Sequence, residues 1–184
     1  STGSTAAQIG RIKGLRVIGI AGGKEKRDWL TGECGIEAAI DYKSENVTAR
    51  LAALCPKGIN IFYDNVGGEI LQAAVDNMAP FGRIVLCGQI SSYDSDSSPE
   101  GPRNMMRMVY GGIRMQGFLA SHFVKRFDEA IAALRGWADA GEIAYREDLR
   151  SGFENLPNAY MSLFDGSNAG TLLVAVNDEV NATN

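Results

Sequence analysis

The sequence predicts a doubly wound α/β fold, in which a parallel β-sheet is covered by helices on both faces. Short β-rich runs alternate with helical stretches along the 184 residues. The runs are apolar at consecutive positions, which is typical of strands that are buried on both faces. Glycines follow several of these runs, and right-handed crossovers would bring the ends of the strands to one edge of the sheet.

Each element has a local signal in the sequence. The predicted strands are 15–23, 38–42, 59–68, 82–89, 113–120 and 170–176, and the predicted helices are 4–13, 24–35, 44–55, 69–79, 103–111, 124–140 and 154–165. Gly35 should close the second helix, Ser44 should cap the third, and Pro80 should end the fourth. A short extended piece is expected near Tyr145, a Ser-, Asp-, Pro- and Gly-rich loop over 89–103, and a frayed tail over 177–184.

Composition excludes several classes of function. The formal net charge of −4 argues against a nucleic acid or an anionic membrane as partner. No apolar run approaches the roughly 18–20 residues that a membrane span needs. The N-terminus does not have the pattern of a signal peptide, so we expect a cytoplasmic protein. Three dispersed cysteines and the single His122 predict no metal site and free thiols in a reducing compartment.

Glycines mark a candidate ligand site. They lie at the predicted carboxyl ends of strands, as Gly22 with Gly23, Gly67 with Gly68, and Gly88. In doubly wound folds the ligand binds outside these ends, where glycine lets the backbone approach it closely. Gly3 precedes a predicted helix, whose free N–H groups favour a phosphate. Such a turn normally follows a buried strand, and this sequence begins after that strand.

The second strand of the predicted fold indicates which dinucleotide is bound. A domain that prefers NAD usually places a carboxylate at the tip of this strand, against the adenosine ribose. Here the tip is Ala21-Gly22-Gly23, and Lys24, Lys26 and Arg27 follow at once. Small residues followed by cations suit a 2′-phosphate, so the sequence predicts NADP as cofactor.

Several segments together resemble a known family. They are "GLRVIGIAGGKEKRDWL", "AAIDYKSE", "CPKGINIFYDNVGGEIL", "GRIVLCGQISSY", "GPRNM", "RMQGF", "YREDL", "GFENLPNAY" and "GSNAGTLLV". The chain resembles the zinc-independent medium-chain dehydrogenase/reductases from Ser1 to about Val176. The branch is that of the alkenal/one oxidoreductases, which include leukotriene B4 12-hydroxydehydrogenase and other prostaglandin reductase-like proteins.

The resemblance implies an NADP-dependent oxidoreductase that reduces the carbon–carbon double bond of α,β-unsaturated carbonyls. The implied fold is a Rossmann domain over 1–146 that lacks its first strand. Residues 147–176 would join the catalytic domain, and 177–184 would be a tail. This chain would be the cofactor-binding part and would be inactive in isolation. The resemblance also implies a homodimer, in which the strand "IRMQGF" pairs across a two-fold axis.

The resemblance further implies which residues bind and react. Its cofactor contacts are Gly3, Lys26, Tyr42, Asn65, Cys87, Gly88, Gln89, Ile90, Ser91, Ser92, Tyr93, Phe118, Leu119, Ala120 and Asn168. Tyr110 or Tyr93 would lie near the substrate carbonyl as a catalytic residue. Simpler interpretations stay open: Tyr110 could be a packing residue, and Asn65 could satisfy backbone groups at a strand end. Cys87 could be a buried packing residue, and His122 could be a surface histidine.

Two questions about function and fold stay open at this stage. The alternatives to enone reduction are a quinone oxidoreductase-like reductase and a nucleotide-binding module without catalysis. In a sheet of order 3-2-1-4-5-6 the missing strand would leave a slot between 15–23 and 59–68. We expect this slot to be closed by direct pairing of its neighbours or filled by another strand, for which "GTLLVAV" is the best internal candidate.

Overall fold

The computed structural model describes residues 2–92, 101–165 and 170–176. These residues fall into two compact units, Thr2–Ile143 and the residues from Ala144 onward. None of the described helices is both long and apolar enough to cross a lipid bilayer.

The first unit alternates helices with strands. Its elements are α1 (Thr2–Ile12), β1 (Ile18–Ala21), α2 (Lys24–Gly32), β2 (Ala38–Asp41), α3 (Val47–Leu54), β3 (Ile59–Asp64), α4 (Gly68–Asp76), β4 (Met78–Leu86), α5 (Met106–Gly111), β5 (Arg114–Gly117) and α6 (Phe127–Asp139). Single 3-10 segments cover Ile90–Ser92 and Ala120–Arg126. All strand pairs in this unit are parallel, so the predicted α/β class is confirmed.

The strands of the first unit form two half-sheets. The first half-sheet is β1-β2 and the second is β3-β4-β5, in that order. Within the described part of the chain, β1 and β3 each have one edge without a hydrogen-bonded strand. The predicted direct pairing of these two strands is therefore wrong.

Packing joins the two half-sheets in place of hydrogen bonds. Helix α1 contacts both β1 and β3. Ile18 and Ile20 of β1 and Ile59 of β3 all pack against one buried cluster of Ile40, Leu51 and Ala73. Because side chains from α3 and α4 belong to this cluster, both half-sheets have apolar cover that does not depend on a shared ladder.

The second unit contains the strand that was expected to fill the slot. It consists of β6 (Glu147–Ser151), a 3-10 turn (Phe153–Asn155), α7 (Leu156–Asp165) and β7 (Thr171–Ala175). β7 is "TLLVA" and pairs in parallel with β6, from Glu147↔Thr171 to Ser151↔Ala175. The expectation that it fills the central slot is wrong, because among the described residues β7 is hydrogen-bonded to β6 and not to β1 or β3.

Several element ends differ from prediction for local reasons. Asn46, not Ser44, caps α3, because the Asn46 side chain accepts a hydrogen bond of 2.9 Å from the Ala49 N–H. Helix α4 ends at Asp76, and Asn77 donates its side-chain amide to the Ala73 carbonyl at 2.8 Å. Pro80 therefore lies within β4 and does not end the helix. The register of β3 with β4 shifts between Ile59 and Ile61, next to this proline.

Candidate cofactor-binding site

A buried carboxylate organises the carboxyl ends of β1 and β2. Asp41 is the last residue of β2 and is 7% exposed. Its Oδ1 accepts hydrogen bonds of 3.0 Å from the backbone N–H of Gly23 and of 3.0 Å from that of Lys43. These bonds, followed by contributions from Ser44 and Arg27, lower the pKa of Asp41. The carboxylate thereby holds the turn after β1 against the turn after β2.

The turn after β1 forms a small cradle. A Cβ atom added at Gly22 would lie 2.9 Å from Lys43 Cε and 3.0 Å from the ring of Tyr42, so the end of the Lys43 side chain and the Tyr42 ring would have to move. Glycine at this position therefore lets the Tyr42 ring and the Lys43 side chain lie against the backbone. Lys26 follows closely in the sequence, on the first turn of α2, and it is half-buried.

Two cations of α2 have carboxylate partners. Lys24 forms a salt bridge with Asp28 on the same helix. Arg27 lies 3.5 Å from Glu45, whose other oxygen is 2.7 Å from Arg50. Lys24 and Arg27 are thus engaged with carboxylates of the chain itself.

A second buried carboxylate organises the end of β3. Asp64 is 2% exposed, and its Oδ1 accepts from the backbone N–H of Val66 at 2.9 Å and of Gly67 at 3.0 Å. Its carbonyl oxygen accepts from the N–H of Cys87 and of Gly88, at 2.7 Å and 3.3 Å. Asp64, and not the side chain of Asn65, thus satisfies the backbone at this strand end. The simpler interpretation of Asn65 loses its basis.

The segment after β4 lies against the turn after β3. Ile90 N–H donates to the Asn65 carbonyl at 3.2 Å, and the N–H and hydroxyl of Ser91 both donate to the Val66 carbonyl. A Cβ atom at Gly67 would overlap Gln89. The predicted cofactor residues Asn65 and Cys87–Ser92 are therefore brought together by backbone hydrogen bonds.

An aromatic group borders this segment. The ring of Phe118 lies 6.5 Å from that of Tyr63 and 6.1 Å from that of Phe123. Burial, together with a hydrogen bond to the Cys87 thiol, raises the pKa of Tyr63 well above its ordinary value. Cys87 itself is half-buried, whereas its interpretation as a packing residue required full burial.

Other predicted residues lie in different places. Gly3 is exposed in the first turn of α1, not in a turn before it, because the helix already begins at Thr2. Leu119 is 62% exposed and Ala120 begins the 3-10 segment after β5. His122 is exposed and its Nδ1 accepts from the Leu119 N–H at 3.3 Å, as expected of a surface histidine. Tyr93 and Asn168 lie outside the described residues.

Tyr110 is separated from the rest of the site. It is near the end of α5, immediately before β5 begins, and a Cβ atom at the neighbouring Gly112 would touch the ring of Phe81. In a parallel sheet this is the amino edge, whereas Asn65, Cys87 and Phe118 lie at the carboxyl edge. Tyr110 is 84% exposed, so it is not a packing residue in this chain.

Sequence reasoning missed Asp41, Asp64 and Lys43. An aspartate at the end of a strand, two or three residues before a free backbone N–H, is the signal for such a turn. Asp64-Asn65-Val66-Gly67 has this spacing within one turn. At Asp41 only the bond from Lys43 has this short spacing, because the other donor, Gly23, is 18 residues away in sequence.

Comparison with known proteins identifies the family of the chain. The family model described as zinc-binding dehydrogenase matches residues 1–136. The chain belongs to this family.

Relatives within the zinc-binding dehydrogenase family are similar over nearly the whole chain. YfmJ of Bacillus subtilis is 41% identical over 181 residues, which are 97% of this chain and 53% of that protein. The NADPH-dependent curcumin reductase of Escherichia coli is 36% identical, covering 95% of this chain and 52% of the relative. The structure of CurA from Vibrio vulnificus in complex with NADPH is 40% identical, with a TM-score of 0.89, covering 96% and 54% of the two chains. The chain thus spans about half the length of these relatives, and the resemblance to this family of reductases is confirmed.

The zinc in the description of the family does not fit the residues that the structure describes. Over 2–92, 101–165 and 170–176, no group of three or more His, Cys, Asp or Glu side chains could hold a metal ion.

Proposed function

We propose that the chain is the NADP(H)-binding part of an oxidoreductase that reduces the carbon–carbon double bond of α,β-unsaturated carbonyls. The observation that carries the proposal is the cradle at Gly22, which the ring of Tyr42 and the side chain of Lys43 line. It stands where an NAD-preferring domain usually has a carboxylate. The names of the relatives support the same conclusion, since they include a curcumin reductase and a 2-alkenal reductase that depend on NADP(H).

The chain has groups that fit the two ends of the cofactor. Lys26 and Tyr42 would hold the 2′-phosphate, and the turn with Asn65, the segment Cys87–Ser92 and the residues Phe118–Ala120 would hold the ribose and the nicotinamide. The first turn of α1, with Gly3, would face the pyrophosphate. When bound, NADPH supplies a hydride for the β-carbon of an enone.

The residues of the chain contribute position and charge. The cations around Gly22 favour a phosphate, and the backbone bonds between 64–66 and 87–91 hold the second half of the site in one geometry. Tyr63 presents a phenolic hydroxyl beside this segment, and burial raises its pKa further above its ordinary value. We propose Tyr93 as donor to the carbonyl oxygen of the substrate. Tyr110 is the alternative donor, and it lies at the amino edge, opposite to the residues proposed to hold the nicotinamide.

We also propose the assembly, the domain division and the compartment. β5 is the terminal strand of β3-β4-β5, which supports pairing with a second copy into a homodimer. The separation of Thr2–Ile143 from the remainder supports a domain boundary near residue 146. Three free cysteines support a cytoplasmic location. Light scattering at micromolar concentration tests the dimer, and a monomer there would contradict it.

The cofactor assignment is tested by binding of NADPH and NADH to the Lys26→Ala variant. A charged hydrogen bond to phosphate contributes about 1.5–3 kcal/mol, so NADPH should bind about tenfold or more weakly and NADH within about twofold of wild type. Lys57→Ala is the matched control, because Lys57 is exposed and precedes β3 at the opposite edge. Equal losses for both cofactors would refute the assignment.

The reaction is tested with the longest polypeptide that contains this sequence. Oxidation of NADPH is followed on addition of a small enone and, separately, of a quinone. Turnover of the enone with saturation of its double bond supports the proposal. Turnover of the quinone alone would favour the quinone reductase alternative, and binding without turnover would favour a nucleotide-binding module.

A further inference from the structure

We propose that Asp41 is a positioning residue for cofactor discrimination: its Oδ1 ties the turn after β1 to the turn after β2, so that Lys26 and Tyr42 converge on the 2′-phosphate. This inference rests on the proposed function, since it assigns a role within the proposed NADP site. It adds a residue that does not itself contact the cofactor.

The backbone ladder between β1 and β2 ends close to Asp41. The register runs from Ile18↔Ala38 to Ala21↔Asp41, and the last backbone bond is from Tyr42 N–H to the Ala21 carbonyl, at 3.2 Å. Beyond this point the two backbones diverge, one into α2 and the other into the turn that carries Tyr42 and Lys43. The Oδ1 of Asp41 continues the connection, with one bond to each backbone.

Asp41 also holds the residue at which α2 begins. Gly23 precedes the helix with φ of 87°, and no side chain within the turn caps the helix. The N–H of Gly23 donates a hydrogen bond of 3.0 Å to Oδ1 of Asp41. The direction in which α2 leaves β1, and with it the place of Lys26 three residues later, therefore depends on this bond.

Glu45 forms a second connection between the same two segments. Glu45 Oε1 accepts the Asp41 backbone N–H at 2.8 Å and lies 3.5 Å from Arg27 of α2. The backbone of Asp41 is thus fixed from the α3 side as well. With both its backbone and its carboxylate held, Asp41 gives the turns after β1 and β2 one relative position.

Charge and geometry make opposite predictions for this residue. An aspartate that faced the 2′-phosphate would repel it, and removing its charge would strengthen NADPH binding. A positioning aspartate acts through the acceptor Oδ1, which asparagine keeps and glutamate displaces by one methylene. Asp41→Asn and Asp41→Glu therefore form a matched pair, one without the charge and the other without the geometry.

The experiment measures dissociation constants on the full 184-residue chain. The probes are NADPH and NADH, together with adenosine 2′,5′-bisphosphate and adenosine 5′-monophosphate, which isolate the adenosine end. Asp41→Glu and Asp41→Ala should weaken NADPH and the bisphosphate about tenfold, while NADH and the monophosphate change by about twofold or less. Asp41→Asn should stay within about threefold of wild type for all four. In a Lys26→Ala background, Asp41→Glu should add little, because the contact that it positions is already gone.

The outcomes separate the inference from the function on which it rests. If wild type prefers NADPH but Asp41→Glu keeps that preference, the positioning role is wrong and the NADP assignment stands. If Asp41→Asn loses the preference while Asp41→Glu keeps it, the charge matters and the geometry does not, which also overturns the inference. If wild type does not prefer NADPH to NADH, both fail. Thermal unfolding of each variant checks folding, and the Asn and Glu pair decides the matter even if Asp41→Ala does not fold.

Discussion

Asp41 is the last residue of β2 in the first half-sheet, and Asp64 is the last residue of β3 in the second. Both carboxylates hold backbone turns that follow strands, but in different surroundings. Each is buried, each ends a strand, and each accepts two backbone N–H groups on one carboxylate oxygen. The bonds of Asp64 stay within one turn, whereas those of Asp41 join two turns that are distant in sequence. A buried aspartate at a strand end can therefore shape a single turn, as Asp64 does, or align two segments, as Asp41 does.

The second oxygen of each carboxylate distinguishes the two sites. Asp41 has Ser44 and the charge of Arg27 nearby, which help to lower its pKa. Asp64 Oδ2 is buried and has no hydrogen-bond partner within the described residues. A buried oxygen without a donor is costly. The carboxylate of the second half-sheet is therefore the less well compensated of the two.

The largest expected effect is at Asp64. Asp64→Ala removes two charge-assisted hydrogen bonds and leaves the part-buried N–H of Val66 and the buried N–H of Gly67 unpaired, so it should lower the free energy of unfolding by about 3 kcal/mol. Asp64→Asn keeps Oδ1 and removes the poorly compensated charge, so it should cost less than about 1 kcal/mol. Urea denaturation measures both. Similar large losses for the two variants would mean that the charge of Asp64 is compensated after all.

The thiols of the two half-sheets should react at very different rates. Cys34 packs in the first half-sheet with no exposed surface, and burial followed by Glu33 raises its pKa from 9.0 to about 11. A rise of two units leaves about a hundredfold fewer thiolates at a given pH. Alkylation at pH 8 followed by peptide mass spectrometry should therefore modify the half-buried Cys87 long before Cys34. Equal labelling would show that the first half-sheet opens readily.

Acid should act on the first half-sheet through Asp41. A carboxyl whose pKa is lower in the folded protein stabilises it above the unfolded value of about 3.9, and this contribution is lost as pH falls through the folded value. Wild type should be more stable than Asp41→Asn at pH 7, and the difference should shrink below about pH 4. Unfolding measured across this range tests the sign. A difference that grows on acidification would contradict it.

The smallest expected effect is that of Tyr110→Phe. Its hydroxyl is on a side chain that is 84% exposed at the amino edge of the second half-sheet, so stability should change by less than about 0.5 kcal/mol. In the longest polypeptide, a fall in turnover with unchanged stability would support a catalytic role for Tyr110. Unchanged turnover would leave Tyr93 as the candidate.

The sequence by itself determined the order of the elements and the edge at which the site lies. Alternating apolar runs and helices predicted parallel strands, and the glycines after β1, β3 and β4 marked the carboxyl edge, because both signals are local to a few residues. The absence of a carboxylate after Ala21 likewise predicted NADP. Asx-type turns such as Asp64 with Gly67 are also local, and the spacing would have sufficed to find them.

Only the tertiary structure decided which distant groups meet. The bond from Gly23 to Asp41 depends on the β1-β2 register, and the contact of Ser91 with Val66 depends on β4 lying beside β3. The pairing of β7 with β6, and the open edges of β1 and β3 among the described residues, are likewise properties of the sheet topology. The sequence of an apolar strand such as "GTLLVAV" does not specify which strand it pairs with, because backbone hydrogen bonds are the same for every sequence. Side-chain packing in the tertiary structure determines the partner.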